Sequence, residues 1–129
     1  MPKLTLALTA MSLLLVGCGA PHLQTIHRAE KALTGAPAER LAACIGEPAR
    51  LDGNGDGEHQ VLTFSSAQPR GLDGRTLAEP EAALASRACV FRFTVEDGTV
   101  VAVRSENRAG WGFGSITRCS ALVAACTGG

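Results

Sequence analysis

The residues best suited to covalent chemistry are cysteines, and the chain of 129 residues has five of them. One lies at position 18, and the other four are Cys44, Cys89, Cys119 and Cys126. A set of four cysteines in a small domain is most often joined in disulfides or bound to zinc. None of the four forms a C-x-x-C pair, and no histidine lies at ligand spacing from them, so the pattern favours two disulfides over a zinc site.

The residues before position 18 have the form of a secretory signal. Residues 1–3 carry one positive charge, and the thirteen residues 4–16 carry none. Thirteen residues span ~20 Å as a helix, which is short of the ~30 Å hydrocarbon core of a bilayer. We therefore expect residues 1–17 to be a signal peptide that is removed, not a permanent transmembrane helix.

The residues Leu15-Val16-Gly17-Cys18 resemble the lipobox of bacterial lipoproteins. The resemblance implies that Cys18 becomes the mature N-terminus and carries a diacylglyceryl group as a thioether. Two or three acyl chains, at about 0.8 kcal/mol per buried methylene, anchor a protein stably to a membrane. In that family, an aspartate directly after the lipidated cysteine is the signal for retention at the inner membrane. This chain has Gly19 at that position, so the resemblance implies that the protein is anchored at the periplasmic face of the outer membrane. Residues 18–21 would then be a lipidated tether, and residues 22–129 a single domain.

In that compartment the other four cysteines are expected to be oxidised. Cys119 and Cys126 fall seven residues apart on a predicted helix, which separates them by ~10 Å, beyond the ~7 Å limit between Cα atoms of a disulfide. If that helix is intact, each bridges to Cys44 or Cys89. If it breaks, a Cys44–Cys89 bridge with a Cys119–Cys126 bridge is also allowed.

An acidic, glycine-rich segment is the weak candidate for a metal site. Asp52, Asn54, Asp56 and Gly57 match positions 1, 3, 5 and 6 of an EF-hand calcium loop. The twelfth position is Thr63 instead of the bidentate glutamate, and turn propensity alone explains such a run. We therefore expect no resident metal or cofactor.

Trp111 and Phe113 are interleaved with glycines near the C-terminus. Exposed aromatic side chains anchor protein interfaces, so these two residues are the candidate partner-binding site. The alternative is that they cover one end of the hydrophobic core.

Charge and motifs exclude several classes of function. The chain has twelve basic and twelve acidic residues, so it lacks the positive footprint of a nucleic-acid-binding protein. It has no P-loop, no G-x-S-x-G elbow and no evident grouping of serine, histidine and acid. We expect a protein that is not an enzyme and does not bind nucleic acid.

Helical spacing predicts four helical segments. The first covers residues 21–33, and the second lies between Pro37 and Gly46, which suit a helix start and end. One or two helical turns are expected over residues 80–86, inside a long connection. A terminal helix is expected to begin at Ser115 and end at Gly128.

Apolar alternation predicts three strands, over residues 59–66, 88–95 and 99–105, with a flexible loop over 52–58. The last two strands form a hairpin. A three-residue loop, Glu96-Asp97-Gly98, would pair Phe93 with Val101, Phe91 with Val103 and Cys89 with Ser105, which places the large apolar residues on one face.

These elements predict an α+β fold with two short N-terminal helices packed on a three-stranded antiparallel meander, and a C-terminal helix. The order resembles that of the small outer-membrane lipoproteins of the SmpA/OmlA (BamE-like) family. The residues that carry the resemblance are Gly35-x-x-x-x-x-Leu41-x-x-x-x-Gly46-x-Pro48 and Val95-x-x-Gly98-x-Val100.

Together these observations favour a lipid-anchored interaction protein that holds an envelope protein at the outer membrane. The alternative is a ligand-binding or inhibitory module, because the same helix and strand order also resembles half of a secreted β-lactamase-inhibitor protein. In that alternative, the Asp52 loop is the candidate calcium site.

Overall fold

The protein is an α+β domain in which helices pack on one face of an antiparallel sheet. The computed structural model describes residues 20–53, 58–110 and 115–127. Within these residues the elements are α1 (Ala20–Leu33), α2 (Glu39–Cys44), β1 (Arg50–Gly53), β2 (His59–Ser65), α3 (Ala82–Ala85), β3 (Cys89–Glu96), β4 (Thr99–Asn107), α4 (Ser115–Val123) and a 3₁₀ turn (Ala124–Cys126). The predicted α+β class is confirmed.

Helix α1 follows the predicted apolar spacing and begins one residue earlier than expected. Ile26, Ala29 and Leu33 lie on its buried face. Pro21 is tolerated in the first turn, where its missing N–H would have no partner within the helix. The helix therefore includes the last two residues of the segment expected to be a tether.

Helix α2 lies within the predicted segment and is only six residues long. Leu41 is fully buried, and Ile45, one turn later, is also buried. The backbone N–H of Gly46 donates to the carbonyl of Leu41 at 3.2 Å. Burial of these two side chains holds a helix that is too short to be stable alone.

The sheet has four strands in the order β1-β2-β3-β4, and each neighbouring pair is antiparallel. Our expectation of three strands is wrong, because β1 is a fourth strand, and its last two residues, Asp52 and Gly53, lie in the predicted flexible loop. Arg50 pairs with Thr63, and Gly53 pairs with Gln60. All four residues of β1 are exposed, so the strand lacks the alternation by which strands are recognised in a sequence, and pairing with β2 positions it instead.

The β3–β4 hairpin also differs from the expected register. Its turn contains two residues, Asp97 and Gly98, at φ values of 49° and 77°, as a type I′ turn requires. A bulge at Val101 then adds one residue to β4 and shifts the pairing. The resulting pairs are Val95 with Val100, Phe93 with Val103, Phe91 with Ser105 and Cys89 with Asn107.

The predicted three-residue loop is therefore wrong. The bulge nevertheless places Phe91, Phe93 and Val103 on the same face of the hairpin, as the three-residue loop would have done. One extra residue restores the side-chain alternation that a two-residue turn alone would break. Val101 itself is 43% exposed.

The core lies between α1, α4 and the sheet. Phe64, Phe91 and Phe93 have no solvent-exposed surface. Phe64 and Phe93 meet edge to face with ring centroids 5.6 Å apart, a favoured arrangement because the ring edge is positive and the face negative.

The long connection between β2 and β3 is ordered by Gln68, which is 4% exposed. Its side-chain amide donates to the carbonyls of Glu47, at 2.9 Å, and of Leu77. Its side-chain oxygen accepts the N–H of Ser65 at 2.9 Å. These bonds satisfy polar groups that would otherwise be buried without partners. The predicted helical turn within this connection is confirmed as α3.

The terminal helix is shorter than expected. Its α-helical part ends at Val123, and the last turn tightens into a 3₁₀ turn that contains Cys126. Such tightening is common at a helix C-terminus.

Candidate functional site

Two disulfides attach the C-terminal elements to the rest of the domain. Cys44 of α2 is bonded to Cys126 in the 3₁₀ turn, and Cys89 of β3 is bonded to Cys119 of α4. The Cα atoms are 5.2 Å apart in both bridges, within the ordinary disulfide range. Two bridges were predicted, and the pairing is one of those in which each C-terminal cysteine bridges to Cys44 or Cys89.

Helices α1 and α4 begin at the same end of the domain. His22 Nε2, in the first turn of α1, lies 3.5 Å from Thr117 Oγ1, in the first turn of α4. We call this end the proximal end; it comprises residues 20–23, 66–67, 82–88, 107–110 and 115–118.

Hydrogen bonds connect the strands and α3 to the proximal end. The Arg108 guanidinium donates to the carbonyl of Ala85 at 3.1 Å, and the Arg108 N–H donates to that of Ala88 at 3.1 Å. The Ser115 hydroxyl, at the start of α4, donates to the carbonyl of Gly110. The proximal end is therefore one connected surface.

The predicted lipidation site precedes the proximal end in the chain. Cys18 lies outside the described residues, two positions before the first residue of α1. Two residues of extended chain span at most ~7 Å. The Cα atom of Cys18 is therefore within about that distance of the first residue of α1.

The aromatic candidates Trp111 and Phe113 also lie outside the described residues. Their role as a partner-binding site stays a prediction.

The acidic segment is only partly described. Asp52 lies in β1, opposite Val61, and its Oδ1 accepts a hydrogen bond from Arg50 Nε at 2.9 Å. Asn54 and Asp56 lie outside the described residues. Across 20–53, 58–110 and 115–127, no three His, Cys, Asp or Glu side chains are grouped so that they could hold a metal ion.

The face of the sheet opposite the helices carries a row of basic side chains. Arg50, Thr63, Arg92 and Arg104 are consecutive partners across the four strands. Arg50 pairs with Asp52, and Arg92 pairs with Glu106 at 3.3 Å. The next row contains Val61, Thr94 and Ala102. We call these two rows the open sheet face.

A cavity of about 380 Å³ lies between the end of α2 and the long connection. An Asp73–Arg75 ion pair at 2.8 Å lies on its wall. Hydrogen bonds from the backbone and side chain of Arg75 lower the pKa of Asp73, so this exposed carboxylate stays ionised and paired. It is not poised to transfer a proton near neutral pH.

A second cavity, of about 230 Å³, lies at the proximal end between α3 and α4. Its polar lining includes Ser66, Arg87 and Arg118. Sequence reasoning did not identify this site, because the two arginines are 31 residues apart and only the fold brings them together.

None of the helices in the described part of the chain is long and apolar enough to span a bilayer.

No protein-family model, curated protein or solved structure matches the chain.

Proposed function

We propose that the chain is a non-catalytic lipoprotein, anchored by Cys18 to the periplasmic face of the outer membrane, which holds a protein partner in the cell envelope. The observation that carries the proposal is the cysteine at position 18 directly after a charged start, an uncharged stretch of thirteen residues and a small residue. That order suits acylation of the thiol followed by removal of residues 1–17.

The two disulfides support an extracytoplasmic location. Disulfides persist in the periplasm and are rare where cytosolic reductants keep thiols reduced. All four cysteines that follow position 18 are paired, which is the state expected of a secreted chain with an even number of them.

The fold supports close attachment of the domain to the membrane. Helix α1 begins only two residues after Cys18, so an anchored domain has almost no linker and its proximal end faces the bilayer. Helices occupy one face of the sheet, which leaves the open sheet face as the partner-binding surface that the structure supports best.

Replacing Cys18 by alanine is expected to abolish acylation and processing, because only a thiol forms the thioether that holds the lipid. Cells would be grown with an alkyne-labelled fatty acid. We expect the unaltered chain to carry the label and the variant to carry none and to keep residues 1–17. Mass spectrometry of the N-terminal peptide measures both.

The Ser12→Ala variant is the matched control, because it changes the same segment and leaves Cys18 in place. It should be acylated like the unaltered chain. An unacylated mature protein, or one whose chain begins at another residue, contradicts the proposed anchor.

A photocrosslinking amino acid at Thr94 is expected to capture an envelope protein in intact cells. Thr94 lies on the open sheet face, in a central strand between Val61 and Ala102. The control position is Gln24, an exposed residue of α1. Absence of an adduct from Thr94, or the same adducts from both positions, argues against partner binding by this face.

A further inference from the structure

We propose that the cavity at the proximal end binds a phosphate group, held by Arg87, Arg118 and the hydroxyl of Ser66. The cavity has a volume of about 230 Å³, several times the ~30 Å³ that one water molecule occupies in the liquid. It therefore has room for a phosphate and the first atoms of an ester attached to it.

The two arginines are the first observation behind the site. Among the described residues, the arginines in ion pairs are Arg50, Arg75, Arg92 and Arg108. Arg87 and Arg118 are in none of these pairs, and none of the described residues that line the cavity is acidic. Guanidinium groups without an acidic partner favour a bound anion, and their planar fork matches phosphate oxygens.

The hydroxyl of Ser66 adds a donor with a defined position. Its oxygen accepts the backbone N–H of Cys89 at 2.9 Å, which fixes the side chain and leaves the O–H proton available. Cys89 is in turn disulfide-bonded to Cys119, the neighbour of Arg118 in α4. Ser66, directly after β2, is thus hydrogen-bonded to β3, and the disulfide joins β3 to α4 beside Arg118.

The remaining lining favours an ester over a free ion. Ala67, Ala83 and Ala88 contribute methyl groups, which suit the carbon atoms attached to a phosphate. The cavity also lies beside the first turn of α4, and the positive end of the helix dipole favours an anion there.

The location identifies the expected source of the phosphate. The cavity lies at the end where α1 begins, and in an anchored protein this end faces the lipid headgroups. A phospholipid headgroup is therefore the expected ligand, and a soluble phosphate ester is the other source of the same chemistry. The preference for a phospholipid over a soluble ester rests on the proposed lipid anchor, whereas the phosphate site itself does not.

The test uses the full chain purified in detergent, with and without Cys18→Ala, and two probes. Titration with inorganic phosphate is followed by calorimetry, and binding to phosphatidylglycerol vesicles is followed by co-sedimentation. Hydrogen bonds to a charged group are stronger than those between neutral groups, so Arg87→Ala and Arg118→Ala should each weaken binding by about tenfold or more.

The Arg104→Ala variant is the matched control, since it removes one unpaired positive charge from the open sheet face. It should bind both probes like the unaltered chain, and all variants should give the same circular dichroism spectrum. Vesicle binding that the Arg87→Ala and Arg118→Ala variants weaken supports the headgroup. Binding of inorganic phosphate with no such effect on vesicle binding supports a soluble ester.

If neither probe binds, or if the control weakens binding as much as the cavity variants, the phosphate site is overturned. Because inorganic phosphate is tested in detergent with the Cys18→Ala chain as well, this result is independent of whether Cys18 is acylated.

Discussion

The Cys44→Ala/Cys126→Ala variant is expected to have a free energy of unfolding about 4 kcal/mol lower than that of the unaltered chain. The bridge joins residues 82 positions apart, and closing a loop of that length restricts the unfolded chain by about 4 kcal/mol at room temperature. Domains are stable by only about 5–15 kcal/mol, so the change removes a large part of the total. Alanine replaces cysteine here because Cys126 is fully buried, and a serine hydroxyl could be left without a partner.

The second bridge provides the matched comparison. Cys89 and Cys119 are 30 positions apart, so the same chain-entropy argument gives a smaller effect for Cys89→Ala/Cys119→Ala, by about 1 kcal/mol. Urea unfolding followed by circular dichroism measures both free energies of unfolding. Equal stability of either variant and the unaltered chain, or a larger loss at Cys89–Cys119, contradicts this account.

The bridges matter for the candidate site as well as for stability. Cys119 lies beside Arg118, and Cys89 lies beside Ala88, so the Cys89–Cys119 bridge joins two segments that line the cavity at the proximal end. The Cys44–Cys126 bridge fixes the far end of α4. We infer that the cavity requires the oxidised protein.

The helices were predictable because their burial pattern is local. In α1, the residues Ile26, Ala29 and Leu33 recur at helical spacing and all face the core. Gly46 and Pro48 indicate where α2 ends, because glycine is favoured just after a helix and proline cannot continue one. Each of these signals depends on neighbours within a few residues, and such information is present in a single sequence.

Strand β1 and the bulge were not predictable, because both depend on partners distant in the chain. Leu51 is 57% exposed although it lies in a strand, so hydrophobic burial does not explain its conformation. The extra residue at Val101 becomes evident only from the pairing of β4 with β3. A two-residue turn followed by a bulge and a three-residue loop place the side chains of the hairpin on the same faces. The apolar pattern of the sequence therefore does not distinguish the two arrangements.

The candidate site residues also include some that local sequence predicts and others that only the fold brings together. The interpretation of Cys18 depends on the residues immediately before it, so the sequence alone predicts a lipidated cysteine. Nothing in the sequence distinguishes Arg87 and Arg118 from the other arginines, and only the fold brings them to one cavity. Gln68 likewise has no sequence signal, because its partners Glu47 and Leu77 are nine or more positions away.

The Gly46→Ala variant is expected to lose about 3 kcal/mol of stability. Gly46 has a φ of 130°, a conformation that residues with a side chain rarely adopt and that costs about 1–3 kcal/mol. A Cβ there would also lie 2.6 Å from the carbonyl oxygen of Thr76, and forcing atoms into a packed site costs about 1–3 kcal/mol.

Thr76 cannot move aside without losing its own hydrogen bonds. Its N–H donates to the carbonyl of Ile45 at 2.8 Å, and its carbonyl accepts the N–H of Glu47 at 3.0 Å. Its hydroxyl donates to the carbonyl of Glu47 at 2.9 Å. The backbone on both sides of Gly46 is thus bonded to the residue that an added methyl group would displace.

The Gly35→Ala variant separates the two contributions. Gly35 also has a positive φ, of 87°, but a Cβ there would meet nothing within 4 Å. It should lose only the conformational part, about 1 kcal/mol. Urea unfolding midpoints at an unchanged slope measure both variants. If Gly46→Ala is no less stable than Gly35→Ala, the close packing of Thr76 against Gly46 does not contribute to stability as argued.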